Sequence, residues 1–506
     1  MADGYSVSKK PCSGKSVVVV GGGVAGVSSA YYLARQGYAV TLLDKDPDLG
    51  LGASSLNAGW HRTQSHAPLT SPGTVKSVIK SLGVSEGESV LLVWPSYFLR
   101  DPEWMRFGAR FMGAVMSSAM RAFFSDYCLH LSKFSADLLV EVAKEEGLAD
   151  VEWDREDNGW YHMILDNPAM AANLNAPAAM ANKQGFPTTV YSLPETKEKL
   201  ASTPYVGRMQ GMAYEETPFI GDCQKWLRRL AEISSEKYGA KFVGNTSACS
   251  LKTSGGKVTG VDTVDGRHFP GDIVVLAAGA WTADIAATAG VSVPVIPAKG
   301  YSMEFSITEE QAKSVGPAPA LFSNSGLAMT VFASEAGKRK KAPAPAPAPA
   351  PEAPAPEGAP PAPESAVAAA PAAEELKRIR FSTAAEFSPM SLPGRPAMAN
   401  YLRRNAKEVI PSLAAEIDVQ HVRMGARPQT PDDLPIVSGT KYPNLFINSG
   451  GCSYGWRWGP GMGAMLAHAV CGKCPATPTP MPAPAGMSLD RFSMGTYLGK
   501  VLGTSQ

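Results

Sequence analysis

The sequence predicts an α/β fold built on a doubly wound parallel sheet, with strands of a second domain beside it. Three stretches carry this: Val17 to Asp44, the continuous apolar run from Asp272 to Ala278 closed by Gly279, and a glycine-rich junction from Asn448 to Gly463. In the first two a strand is delivered to a glycine turn, and in the third a short strand, Leu445 to Ile447, runs into the junction; such sheets place ligands at these turns.

Val17 to Val20 run as a strand into Gly21, Gly22, Gly23, Val24, Ala25 and Gly26. Gly21 lets the chain turn off the strand, Gly23 leaves room for a pyrophosphate against backbone, and Gly26 lets a helix pack closely. The helix spans Val24 to about Gln36, with Val27, Ala30, Tyr31 and Ala34 at helical spacing and Gly37 placed for a left-handed C-cap. Its N-terminus offers unpaired amides and a positive dipole end to a diphosphate. The alternating run Ala39 to Leu43 then delivers Asp44, eighteen positions past Gly26, suited to ribose hydroxyls, with Lys45 beside it. The unit is Rossmann-like and fits the adenosine diphosphate of NAD or FAD equally.

The loop Gly50 to Gly59 brings Ser54, Ser55, Asn57, Ala58 and Gly59 as further candidate cofactor contacts. Lys76 to Gly147 reads as helical. Within it, Arg106 to Phe124 is an amphipathic helix with Arg106, Arg110 and Arg121 on one edge; its uncharged run, Phe111 to Met120, is too short for a span. The favoured reading is a core helix with a solvated basic edge; peripheral membrane contact is the rival. Val151 to Tyr191 begins a second domain of strands, and Asp222 is placed to cap a helix from Trp226 to Tyr238. Short strands follow, including Ala248 to Lys252, up to the run ending at Ala278 and Gly279.

Pro294 to Phe305 and Leu327 to Phe332 are strand-like. A Pro/Ala-rich insertion, residues 336–376, then interrupts the pattern and is expected to be disordered, its composition also suiting a polyproline-binding partner. Arg378 to Phe381 is expected to pair with Leu327 to Phe332 across it. In the final junction Gly450, Gly451, Tyr454, Gly455 and Trp456 precede a helix. A second amide-lined helix start would favour a flavin, which gains negative charge on reduction, over nicotinamide.

With 47 basic and 46 acidic residues the net charge is +1, giving no bulk attraction to nucleic acid. The seven cysteines form no disulfide framework and point to a reducing, cytoplasmic setting, with a mitochondrial location left open. Cys471 and Cys474 lack a second ligand pair, so no metal is expected. The first fourteen residues carry no apolar stretch of a secretory signal.

Taken together these motifs resemble the FAD-dependent D-amino acid oxidase superfamily, most of all its D-amino acid dehydrogenases. The carriers are Gly21 to Gly26 with Asp44, Ser55-Leu56-Asn57-Ala58-Gly59, Gly221-Asp222-Cys223-Gln224, Pro297-Ala298-Lys299-Gly300-Tyr301-Ser302, Gly425 to Pro435, and Gly455-Trp456. The resemblance implies a Rossmann-like FAD-binding domain from residues 14–85, 220–295 and 405–475, a discontinuous antiparallel-sheet substrate domain from 86–219 and 296–404, and a C-terminal tail at 476–506. It implies FAD as cofactor, an amino acid or amine as substrate, and a quinone, electron carrier or oxygen as acceptor. Arg427 would hold the substrate carboxylate, Tyr301 would hydrogen-bond the substrate and Lys299 would sit near the flavin, while hydride passes from the substrate Cα to flavin N5. A secondary-amine oxidase, a nicotinamide-dependent dehydrogenase and a non-catalytic flavoprotein are the rival readings. Departures from the family pattern fall at Trp60-His61-Arg62, Cys452 and Trp456-Arg457-Trp458, leaving the substrate open.

Overall fold

The computed structural model describes residues 14–62, 69–81, 89–93, 95–333 and 376–493. The Pro/Ala-rich insertion lies outside them up to residue 375; Leu376 already belongs to a strand.

A six-stranded sheet runs in the order Ile436–Gly439, Leu445–Ser449, Ile273–Leu276, Ser16–Val20, Ala39–Leu43, Lys241–Val243, parallel throughout except for its first pair. Val17 to Val20 are almost wholly buried, as continuous apolar runs are when both sheet faces are covered. One face carries the helices Val24–Arg35, Gly455–Cys471, Ser118–Glu146 and Cys223–Tyr238, whose Val27, Leu33, Met462, Leu466, Leu131, Phe134 and Leu230 share one core. Ser118–Glu146 thus packs on helix Gly455–Cys471 and joins the core of the parallel-sheet half, although it lies in the stretch assigned above to the other domain. As expected, Asp222 caps Cys223–Tyr238, accepting from Gln224 N at 2.9 Å and Lys225 N at 3.1 Å.

The amphipathic segment is two helices, Pro102–Met116 and Ser118–Glu146, broken where Ser117 becomes an N-cap and accepts from Met120 N at 3.2 Å. Its basic edge is taken up within the chain. Arg106 pairs with Glu103, Arg110 donates to the Phe492 carbonyl at 3.0 Å, and Arg121 donates to the Val115 carbonyl. Among the described residues no helix is long and apolar enough to cross a membrane.

The larger sheet has nine strands. Its main path is Arg423–Gln429, Ile296–Thr308, Leu376–Phe387, Leu327–Phe332, Ala320–Phe322, Trp160–Leu165, Met209–Glu215, Thr188–Tyr191, with Leu91–Val93 beside Leu376–Phe387. Leu327–Phe332 and Leu376–Phe387 pair antiparallel across the insertion, Thr330 opposite Arg380, as the sequence predicts. The domain boundary expected at residue 405 falls later. Helix Pro396–Val409 buries Met398, Leu402 and Ala406 in this sheet's core, and Arg423–Gln429 is its edge strand, so the chain returns to the parallel sheet only after Gln429. The tail is also anchored: Arg491 makes a buried two-bond contact with Asp432, 2.7 and 3.1 Å, and Met487 is fully buried.

Helices Val24–Arg35 and Gly455–Cys471 meet through a glycine ridge. A Cβ at Gly459 would come within 2.2 Å of Val24 Cγ2, and one at Gly463 within 2.6 Å of Ser28 Cβ. Gly455, Gly459 and Gly463 recur every four residues and so share one helix face. Overpacking of this kind costs about 1–3 kcal/mol. Gly463→Val should therefore lower the unfolding free energy by at least that amount in urea titrations, and a variant as stable as the wild type would show that the helices can separate freely.

Candidate cofactor site

A cavity of about 370 Å³ opens at the C-terminal ends of the parallel strands. Gly21, Gly23, Val24 and Ala25 line it from the first turn, and Gly451, Cys452, Ser453, Gly455 and Trp456 from the last. The turns are 430 residues apart in sequence, yet both helix starts face one space. Gly21 holds a φ of +108°, and a Cβ at Gly26 would sit 1.8 Å from the Gly21 carbonyl oxygen, so this turn exists only with glycine at both places.

Asp44, Lys45, Ser54, Asn57, Ala248, Ala278, Gly279 and Arg427 complete the expected set along the walls. The Asp44 carboxylate accepts from the amides of Gly22 and of Asp46, the latter at 2.8 Å, and burial raises its pKa above the usual value. Lys45 lies 5.1 Å from the centre of the Trp281 ring. Ser54 Oγ accepts from Val24 N at 3.0 Å, tying the second loop to the first helix. Arg427 stands over Gly300, where a Cβ would come within 2.6 Å of its guanidinium nitrogens.

Several expected contacts lie elsewhere. Gly26 supports the turn from behind, and Gly450, Ser55, Ala58, Gly59 and Tyr454 are not among the cavity-lining residues. Ser55 Oγ donates to the Gly52 carbonyl at 3.2 Å, Gly59 packs on Phe332, and the Tyr454 ring lies against Trp458. Lys299 and Tyr301 are corrected more firmly. Successive side chains on a strand alternate between faces, so with Gly300 toward the cavity both neighbours point away. Lys299 is fully buried and donates to the carbonyls of Pro389 and Leu392 at 2.8 and 2.7 Å. The Tyr301 hydroxyl donates to Glu386 and accepts from Arg395 N at 2.8 Å.

Of the unusual positions, Trp456 lines the cavity but Trp60, His61 and Arg62 do not. Trp60 donates to Thr330 Oγ1 at 2.7 Å, and Arg62 stacks 3.5 Å over Trp160 while bonded to Glu215. Cys452 is a buried thiol 3.3 Å from Thr430 Oγ1, and burial raises its pKa well above normal, so it is no thiolate. Trp281, Asp284, Asn448 and Ser449 line the cavity without having been read from the sequence. For the last two, the position at the end of a strand entering a glycine turn was the available signal.

Two amide turns on one parallel sheet, facing one elongated space with an acid at the second strand's end, define a dinucleotide-binding oxidoreductase. Residues 16–469 match the sequence model of the family described as DAO, FAD dependent oxidoreductase, and the chain belongs to that family. Similar relatives include the D-amino acid dehydrogenases of Methylobacterium radiotolerans, 28% identical over 91% of this chain and 96% of that protein, and of Paramagnetospirillum magneticum, 27% identical over 94% and 99%. Among solved structures, glycine oxidase from Geobacillus kaustophilus aligns with a TM-score of 0.61 at 19% identity, covering 94% of this chain and 99% of that one. L-proline dehydrogenase from P. horikoshii also gives 0.61, at 17% identity over 95% and 98%. These neighbours share the fold.

The cofactor is FAD, and the residues present fit it. Small residues open the cradle, Ser54 and Asn57 line it, and Asn448 Oδ1 is buried with no hydrogen-bond partner among the described residues.

Beside Trp456, His61 stacks on Phe219 with 4.6 Å between ring centres and is fully buried. Burial, and then the Arg457 guanidinium, push its pKa down to about 3. The unfolded chain takes up this proton near pH 6.5 and the folded chain does not, so the contribution is full above 6.5 and is lost as pH falls, by about 1.4 kcal/mol per unit. His61→Phe should remove roughly 2 kcal/mol of the stability loss between pH 6.5 and 5, read from urea titrations at both values; an unchanged slope would reject a neutral buried imidazole.

Proposed function

We propose that this flavoenzyme oxidises the Cα–N bond of an amino acid, taking a D-amino acid to an imino acid that hydrolyses to a 2-oxo acid and ammonia. The observation that carries the reading is Arg427 on the wall of the space faced by both amide turns. A guanidinium presents paired N–H donors that match a carboxylate in two parallel, charge-assisted bonds. Burial lowers its pKa from the usual value, yet an arginine stays charged at neutral pH. Gly300 beneath it leaves space that any side chain would fill.

Bound FAD supplies the hydride acceptor, and Gly23, Val24, Asp44, Ser54, Asn57 and Gly451 are the residues that would hold it. The chain's further work is orientation. Arg427 would fix the carboxylate and hence the direction of the Cα–H bond, while Trp456 and Leu56 form apolar wall that excludes water. Among the described residues no histidine lines the cavity, which suits a reaction that starts from the neutral amine. The names of the sequence relatives favour D-amino acids over secondary amines.

Arg427→Ala should retain FAD and lose about 10²- to 10⁴-fold in kcat/KM, the size of a lost pair of hydrogen bonds to a charged group. Anaerobic reduction of the flavin by D-alanine, sarcosine and D-proline tests the substrate class. Faster bleaching by sarcosine or D-proline would transfer the assignment to secondary amines, and no bleaching by any amine would leave a scaffold.

A further inference from the structure

A second, more open cavity of about 470 Å³ adjoins the cofactor site, with Leu51 and Leu56 lining both. It is formed where the edge strand Arg423–Gln429 meets the segment from Gly394 to Ala399. Its walls are apolar at Pro396, Ala399, Val422 and Met424, and its charged or titratable groups are Arg395, His421, Arg423 and Tyr301. No carboxylate lines it among the described residues.

Arg423 is the unusual member. It lies in register with Ser302, on the strand face that also carries Gly425 and Arg427. The nearest opposite charges are Glu304 and Asp222, but these are already engaged. Glu304 accepts from Arg378 at 2.8 Å and from Arg380 at 2.6 Å, and Asp222 Oδ2 accepts from the same two arginines at 3.0 and 3.3 Å. Asp154 completes the group, paired with Arg378 and with Lys225. Three carboxylates are thus matched by Arg378, Arg380 and Lys225, and Arg423 is surplus. Its half-buried guanidinium makes no hydrogen bond or ion pair with a described residue. Its nitrogens stay open to the chamber rather than to a protein partner, and a planar fork of donors is suited to a carboxylate.

We propose that Arg423, flanked by His421 and Arg395, makes this cavity a binding chamber for a small carboxylate. Two sources share that chemistry: the acidic side chain of an amino-acid substrate, or a separate carboxylate such as the 2-oxo acid product. The first source rests on the amino-acid oxidation proposed above; the second stands without it.

The test uses FAD-loaded enzyme and glutarate, a dicarboxylate with no oxidisable amine, followed by calorimetry. Glutarate should bind saturably to the wild type and at least ten-fold more weakly to Arg423→Met, with Arg423→Lys in between. FAD content and turnover of D-alanine should be unchanged in both variants, which establishes folding. If D-glutamate is preferred over D-glutamine by the wild type and equalised by Arg423→Met, the substrate side chain is the source. If glutarate binding is lost while that ratio stays constant, the source is a free carboxylate. Absence of glutarate binding to the wild type, or equal binding to Arg423→Met, overturns the proposal whether or not D-amino acids are oxidised.

Discussion

The structure depends on how closely two helices can approach. Val24–Arg35 and Gly455–Cys471 each begin at a glycine turn that lines the cofactor cavity, and each must bring its start to the same place. Helices usually pack 8–10 Å apart, a spacing set by the side chains between them. Here Gly459 and Gly463 place bare backbone against Val24 and Ser28. That contact lets the starts of two helices converge on one cavity. Asn448 reinforces it from the sheet, donating to Ser29 Oγ at 2.8 Å.

A second constraint joins the sheets. Arg380 is almost fully buried, and it donates to the Asn57 carbonyl at 2.9 Å as well as to Glu304 and Asp222. Phe332 lies beneath both Arg378 and Arg380, with their guanidinium carbons 5.0 and 4.7 Å from its ring centre. Buried ion pairs of this kind add little net stability over apolar packing, but losing one member strands the others at high cost. Their effect here is positional. The antiparallel sheet grips the Asn57 loop, which is part of the cofactor cradle.

Local patterns exposed most of the parallel half in the sequence. Val17 to Val20, Gly21, Gly26 and Asp44 are neighbours along the chain, and their spacing states their geometry. The same holds for the pairing of Leu327–Phe332 with Leu376–Phe387, where alternation resumes after the low-complexity segment. Contacts that only the tertiary fold creates were not legible. Ser118–Glu146 joins the parallel-sheet core because its Leu131, Phe134 and Ser135 meet Gly461, hundreds of residues away. Trp281 reaches the cavity because a short helical turn follows Gly279. The break at Ser117 was readable in principle, since serine is a strong N-cap, but continuous helical periodicity on both sides concealed it.

The two strands Ile296–Thr308 and Arg423–Gln429 show why a motif's residues need not share a task. Ala298, Gly300 and Ser302 lie opposite Arg427, Gly425 and Arg423 on the face toward the flavin half. Lys299 and Tyr301 belong to the other face. There Lys299 holds the turn of Pro389 and Leu392, and Tyr301 joins Glu386 to the backbone of Arg395. Burial lowers the pKa of the Lys299 ammonium and raises that of the Tyr301 phenol, as expected of groups withdrawn from water. Lys299 therefore acts on the site through the backbone, whereas Tyr301, turned away from the cofactor cavity, lines the adjoining chamber. By fixing segment 389–395 against the sheet they set the wall of the chamber beside Arg423. A residue pair that looks catalytic in sequence is, by strand geometry, the support on which the cationic face is laid.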